Sequence, residues 1–287
     1  MNTGRQNSFF GFHAENLDAH CHLQHDPTFR EYAATCFDQL FFCMTETPDE
    51  YRSYASTGLP TNAVLGLGLH PWHVLADTAA ACKQVDAVLE LLPCAQLVGE
   101  VGLDFSSKHG STRENQLMAF RRIARAAARM PLSSAFAFES GSTVAIAASA
   151  ATGPASSCAA ASAATGAGVA APASFCAAAS AATGAAPLAA AACRPHDRKR
   201  ILSIHAVQAA EEALDILQNA GCLDACICIF HWFSGTSDQL VAARKAGCYF
   251  SFGPRALATK RGRAYAAQVP ANRLLRETDA YSLADTL

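Results

Sequence analysis

Leu17-Asp18-Ala19-His20-Cys21-His22-Leu23 joins a short apolar run to two histidines spaced by one residue. Asn16 to Ala19 reads as a strand. If the chain stays extended through His22, residues two apart share a side, so both imidazoles reach one point while Cys21 turns the other way. Alone, the pair is weak evidence, because a histidine beside an apolar run is more often a hydrogen-bonded packing residue. Its weight comes from what recurs downstream.

Further short apolar runs occur at Gln39 to Cys43, Ala63 to Gly68, Leu97 to Gly99, Ile201 to Ile204, Ala225 to Phe230, Cys248 to Phe252 and Arg273 to Arg276. Between them lie segments of helical period. Thr112 to Arg129 places Leu117, Phe120, Ile123 and Ala127 on one stripe with arginines opposite, and Val207 to Ala220 and Ser237 to Ala246 look alike. Gly221 and Gly247 follow the last two where a left-handed helix cap is expected. Alternating strands and helices predict an α/β fold with a parallel sheet, and eight strands suggest a closed TIM (β/α)8 barrel.

A polar residue follows strand after strand: His20 and His22 after the first, Glu100 after the fourth, His205 after the fifth, His231 after the sixth and Asp279 after the eighth. In a β/α barrel that end carries the active site. Glu100 sits among apolar residues and glycines, where a carboxylate needs a metal or an ion-pair partner; an arginine from a neighbouring strand would also serve. Asp279 adds a carboxylate able to ligate a cation and orient an attacking water. Three or four histidines with two carboxylates suit zinc, manganese or magnesium and hydrolytic chemistry.

The composition frames this reading. The chain has 287 residues, 51% of them hydrophobic, enough for a full-sized core, and its formal net charge of −2 gives no global pull toward nucleic acid or an anionic membrane. The twelve cysteines are scattered and lack Cys-x-x-Cys knuckles, so they read as reduced thiols. Met1 to Asn16 does not resemble a secretory signal, which leaves a cytoplasmic location as the default.

Gly141 to Cys193 contains no Asp, Glu, Lys or Arg, and CAAASAATGA occurs twice, at Cys158 to Ala167 and Cys176 to Ala185. The stretch is long enough to span a bilayer, but Gly, Pro, Ser and Thr interrupt every apolar run, so no membrane segment is expected. A surface excursion without fixed structure fits its composition better.

Taken together, Leu17-Asp18-Ala19-His20-Cys21-His22-Leu23, Gly68-Leu69-His70-Pro71-Trp72, Val98-Gly99-Glu100-Val101-Gly102-Leu103-Asp104, Ser203-Ile204-His205-Ala206, His231-Trp232-Phe233-Ser234-Gly235 and Glu277-Thr278-Asp279-Ala280 resemble, in order, the signatures of the TatD family of metal-dependent deoxyribonucleases. The resemblance implies a metallo-hydrolase barrel with one to three divalent ions (Mg2+, Mn2+ or Zn2+), cleaving phosphodiester bonds of DNA by a metal-activated water. Carried over, His20 and His22 hold one ion, Glu100 bridges, His205 and His231 hold a second, and Asp279 completes the site; Glu100 and Asp279 are the catalytic pair. His70 matches a position near the substrate phosphate, although packing against Pro71 and Trp72 explains it nearly as well. Arg255, with Lys260, Arg261 and Arg263, is placed to meet a DNA backbone, or forms a solvated helix face. Another small ester or amide substrate, or a non-catalytic product, is the alternative. Oligomeric state is left open.

Two departures from the family pattern stand out. Residues 133–200 intervene where the family passes directly from helix to strand, splitting the barrel into residues 1–132 and 201–287. That connection belongs on the bottom of the barrel, away from the active end, and its length predicts disorder or a separate role. Secondly, the sequence runs from Asp279 only to Leu287, where the family continues through a last helix. A missing helix would expose apolar surface on strands one and eight.

Overall fold

The computed structural model describes residues 8–9, 12–132 and 199–286. Eight parallel strands form a closed barrel: β1 (Leu17–Cys21), β2 (Leu40–Met44), β3 (Ala63–Leu69), β4 (Leu97–Asp104), β5 (Arg200–Val207), β6 (Cys226–His231), β7 (Tyr249–Phe252) and β8 (Leu274–Arg276). A two-stranded antiparallel ribbon, Ser8–Phe9 with Phe12–His13, precedes them. All eight expected strands are present, so the fold is the TIM barrel anticipated. The repeated 133–200 segment lies outside the described residues except at its end, where Arg200 belongs to β5.

Helices cover the outside: α1 (Phe29–Thr35), α2 (Pro48–Thr57), α3 (Thr78–Leu91), α4 (Arg113–Arg129), α5 (Ala210–Ala220), α6 (Cys222–Ala225), α7 (Ser237–Lys245), α8 (Pro254–Ala258) and α9 (Lys260–Ala266). Local chemistry sets their limits. Asp77 accepts from the amide of Ala80 to open α3, and Thr236 and Gln239 form a reciprocal capping box on α7. Gly221, at φ 81°, closes α5 in the left-handed conformation. No described helix is long and apolar enough to cross a membrane, and no disulfide forms among the described residues.

Two cores result from strand alternation. Leu17, Ala19, Leu40, Phe42, Met44, Leu97, Ile201, Ile229 and Leu275 fill the barrel interior. Val98, Val101, Leu202, Ile204, Cys228 and Phe230 face outward and pack against helical residues such as Phe120, Ile123 and Leu217. At Gly68 the walls come so close that a Cβ would lie 1.6 Å from the carbonyl oxygen of Thr45, so no larger residue fits.

The alternation slips at the active end. Ladder register shifts between Asp18 and Cys21 on β1, and between Val98 and Val101 on β4. Such irregularities insert one residue and re-aim the next. Ala19 therefore belongs to the inner core although it directly precedes inward-facing His20. Cys21 joins the outer cluster of Leu23, Phe29, Ala33 and Phe41, turned away from the histidines as expected.

Closure rests on the seam between β8 and β1, where the ladder pairs Arg276 with Asp18. Asp18 is buried and accepts bonds from the amide and hydroxyl of Thr278, at 3.0 and 2.6 Å. Burial pushes its carboxyl up to about 6 against the lowering effect of those bonds. The amide of Asp279 donates to His20 O and that of His22 to Ala280 O, extending the seam past the strand ends. Outside it lies a cavity of about 380 Å³ lined largely by polar groups, including Glu15, Asn16, Asp38, Gln39, Arg276 and Thr278. Of the apolar residues on these two strands, Leu17 and Leu275 are buried and Leu274 is half-buried, while Leu283, in a 3-10 turn (Leu283–Thr286), packs on the cluster around Phe29.

Candidate metal centre

Alternation on β5 and β6 explains why their histidines point inward. Ile201, Ser203 and His205 share one phase, as do Ile227, Ile229 and His231, while the residues between pack outward. His205 and Glu100 lie within their strands rather than just past them, because β4 continues to Asp104 and β5 to Val207. Gly102, at φ 143°, permits this: a Cβ there would stand 2.0 Å from His205 O. Asp279 follows β8 with φ 52°, a left-handed conformation that Asp tolerates better than most residues.

The four predicted histidines converge on the Glu100 carboxylate, and Asp279 joins them through His20 and His22. Glu100 Oε2 faces His20 Nε2 at 3.3 Å and His22 Nε2 at 3.5 Å, and Asp279 Oδ1 lies 3.7 and 3.9 Å from the same two nitrogens. Its Oε1 faces His205 Nδ1 at 2.6 Å, His231 Nε2 at 2.7 Å and His70 Nε2 at 3.1 Å. One carboxylate thus stands between two sets of imidazoles. His70, for which packing was the competing reading, belongs to the second set; its Nδ1 accepts from the amide of Trp72.

The electrostatics follow from this crowding. Burial opposes ionisation of Glu100, but the imidazoles of His70, His231 and His20 outweigh it and hold the carboxyl well below its ordinary range. Burial also lowers His20, to about 4, helped by the neighbouring His231, whose ring stacks on it at 3.9 Å. His231 itself rises to about 9, since Glu100 overcomes the effect of burial. Glu100 is thus held as the carboxylate, with positive charge favoured on the imidazole of His231 beside it.

The donor set fits a divalent cation. His20 Nε2 is buried and makes no hydrogen bond, although two carboxylates and a second histidine surround it. Three overlapping groups bring their ligand atoms within 4.8 Å of one another: His20, His22 and Glu100; His20, His231 and Asp279; and His70, Glu100 and His205. Nitrogen and carboxylate donors without thiolate suit zinc, manganese or magnesium.

A second ring of residues, to which the sequence pattern assigned no roles, orients the first. Ser203 Oγ and His20 Nδ1 share a 2.8 Å hydrogen bond, which leaves Nε2 toward Glu100. Asp104 Oδ2 lies 3.4 Å from His205 Nε2 and accepts a 2.6 Å bond from the indole of Trp72. Glu277 accepts from Ser251 Oγ and the amide of Trp232, with its Oε2 3.9 Å from His231 Nδ1. Tyr281 lays its ring on His22 at 4.3 Å and donates to Glu46. Buried carboxylates at 104 and 277 were the available signal, since such groups need partners.

The basic residues after β7 divide. Arg255 is exposed on α8. Arg261 is engaged with the carbonyls of Ser234 and Gly235 in the loop after β6, and Arg263 with those of Leu257 and Ala258 at the end of α8.

Comparison with known proteins places the fold and the family. Solved structures share the fold: the TatD homologue YJJV of Escherichia coli K12, with a TM-score of 0.56 and 16% identity over 92% of this chain and 78% of that one, and a TatD family hydrolase of Entamoeba histolytica, with a TM-score of 0.56 and 14% identity over 92% and 73%. No curated protein matches by sequence. The family described as TatD related DNase matches over residues 17–133 and 188–286, which span every residue of the centre, and the chain therefore belongs to that family of metal-dependent hydrolases.

Proposed function

We propose that the protein hydrolyses phosphodiester bonds of DNA with divalent cations held around Glu100. The observation that carries this reading is the division of the Glu100 oxygens, one toward His20 and His22 and the other toward His205 and His231. His20, His22 and Asp279 would hold one ion, His205 and His231 a second, and Glu100 both; Mg2+, Mn2+ and Zn2+ are the candidates. Bound there, the cations supply charge that acidifies water and offsets the negative charge growing on the phosphoryl oxygens.

The chain's own groups supply the rest. Asp279 Oδ1, the more exposed of the two carboxylates, takes the proton of the attacking water. His70, buried with Nδ1 engaged by Trp72, aims Nε2–H at Glu100 Oε1, from where it would also reach a phosphoryl oxygen bound beside that carboxylate. Ser203 and Asp104 fix the rings of His20 and His205, which keeps their ligating nitrogens aimed at Glu100. Arg255 on the rim contacts the DNA backbone without reading sequence.

The test combines activity and metal content. Purified protein incubated with labelled single- and double-stranded DNA should cleave with Mg2+, Mn2+ or Zn2+ and stop with EDTA. Elemental analysis of Glu100→Ala should show reduced metal. Absence of cleavage with every cation overturns the nuclease reading, and unchanged metal in the variant removes Glu100 from the centre.

A further inference from the structure

Both tryptophans of the chain stand at the active end, Trp72 after β3 and Trp232 after β6, and both are exposed, Trp72 by 50%. Half-exposing an indole leaves a large apolar face in water, which folding alone does not favour. Yet Trp72 is rigidly held. Its Nε1 donates at 2.6 Å to Asp104 Oδ2, its amide donates to His70 Nδ1, and the His70 ring meets it edge-on at 4.8 Å. The same Asp104 oxygen lies 3.4 Å from His205 Nε2, and the indole centroid is 6.1 Å from the His205 ring. A flat ring already lies parallel to the indole, that of His109 at 4.7 Å and 9°, and Lys108 Nζ stands 5.7 Å from its centre.

We propose that Trp72 is a stacking plate for the nucleobase next to the scissile phosphate. This rests on the nuclease reading for the identity of the ring. Because the indole centroid lies 6.1 Å from the His205 ring, the base adjoining a phosphate held at Glu100 and His205 would fall beside this half-exposed side chain. Stacking tolerates any base because every base has a π-face, and it requires that base to be unpaired on the stacked side. Lys108 meets the neighbouring phosphate, and Asp104 keeps the plate in register with His205.

Binding is measured in EDTA, so that it is read apart from cleavage, using a short oligothymidylate and an oligomer of the same length with abasic tetrahydrofuran residues. In a Trp232→Phe background Trp72 is the sole indole reporter. Oligothymidylate should quench its fluorescence and bind about 5- to 100-fold more tightly than the abasic oligomer. Trp72→Leu should abolish that preference and Trp72→Phe should restore most of it. With metal added, the Leu variant should raise KM for oligothymidylate far more than it lowers kcat. Equal binding of the two oligomers to the parent protein overturns the proposal without needing any variant, as does an unchanged preference in folded Trp72→Leu. Cleavage of both oligomers with equal KM would leave the nuclease reading intact while removing the plate. Base-selective binding without cleavage under any cation would do the reverse.

Discussion

Replacing Arg200 by Met should cost this barrel more stability than any change of similar size on its surface. Arg200 opens β5 and is buried, with Nε donating to Ala95 O at 2.9 Å, Nη1 to Ala127 O and Met130 O at 2.8 Å each, and Nη2 to Leu92 O at 3.0 Å. Those carbonyls end α3 and α4, so one guanidinium answers the unpaired groups and negative poles of two helices. Methionine has similar reach and no donors. Each charge-assisted bond is worth about 1.5–3 kcal/mol, and each buried carbonyl left alone costs about 1–3 kcal/mol. Relaxation and entering water recover part of this, leaving a net loss of about 3–5 kcal/mol, at the upper end for breaking a buried hydrogen-bond network. For a domain of this size that lowers Tm by on the order of 10 °C. Thermal melts followed by near-ultraviolet circular dichroism measure it, with Arg200→Lys expected between the two. A Tm for Arg200→Met within about 2 °C of the parent would refute the stapling argument.

Two other expectations follow from the same geometry. Because Arg200 Nη1 touches Met130 O, the end of α4 and the start of β5 are one side chain apart; replacing residues 134–197 with a short Gly/Ser linker should preserve cooperative melting and DNA cleavage and, by shortening the loop, add up to about 2 kcal/mol of stability in chemical denaturation. Collapse of soluble yield would show instead that the segment supports the barrel. The Glu46–His73 pair, 2.7 Å apart, should give a pH signature: the bond from His73, despite burial, depresses Glu46 to about 2, while Glu46 raises His73. The Glu46 contribution is present above its ordinary 4.5 and is lost as pH falls toward 2, whereas the His73 contribution is present below 6.5 and is lost as pH rises through its raised value. Glu46→Gln should therefore lower Tm most between about pH 4.5 and 6.5; a Tm difference flat from pH 3 to 9 would contradict the pairing.

The strands were legible because each is a short apolar run, and six centre residues because each adjoins such a run. Alternation read His20 and His22 correctly, yet it could not foresee the slip at Ala19 and His20, since a bulge is set by how two strands register rather than by either sequence. Asp104, Ser203 and Glu277 were hidden for a related reason. Their partners, His205, His20 and Ser251 with Trp232, come from other strands and loops, so nothing local marks them. Arg200 went unrecognised at the edge of the repeated segment, because its four acceptors lie on elements more than sixty residues away.

The β1–β8 seam has a consequence for the order in which the protein becomes active. His20 and His22 lie on one side of it and Asp279 on the other, with Asp279 N–His20 O and His22 N–Ala280 O bonds joining the two. No fragment lacking either strand can assemble this ligand set, so a nascent or clipped chain carries no half-built centre. An ion bound across the seam would also act as its clasp, making metal loading and ring closure a single event.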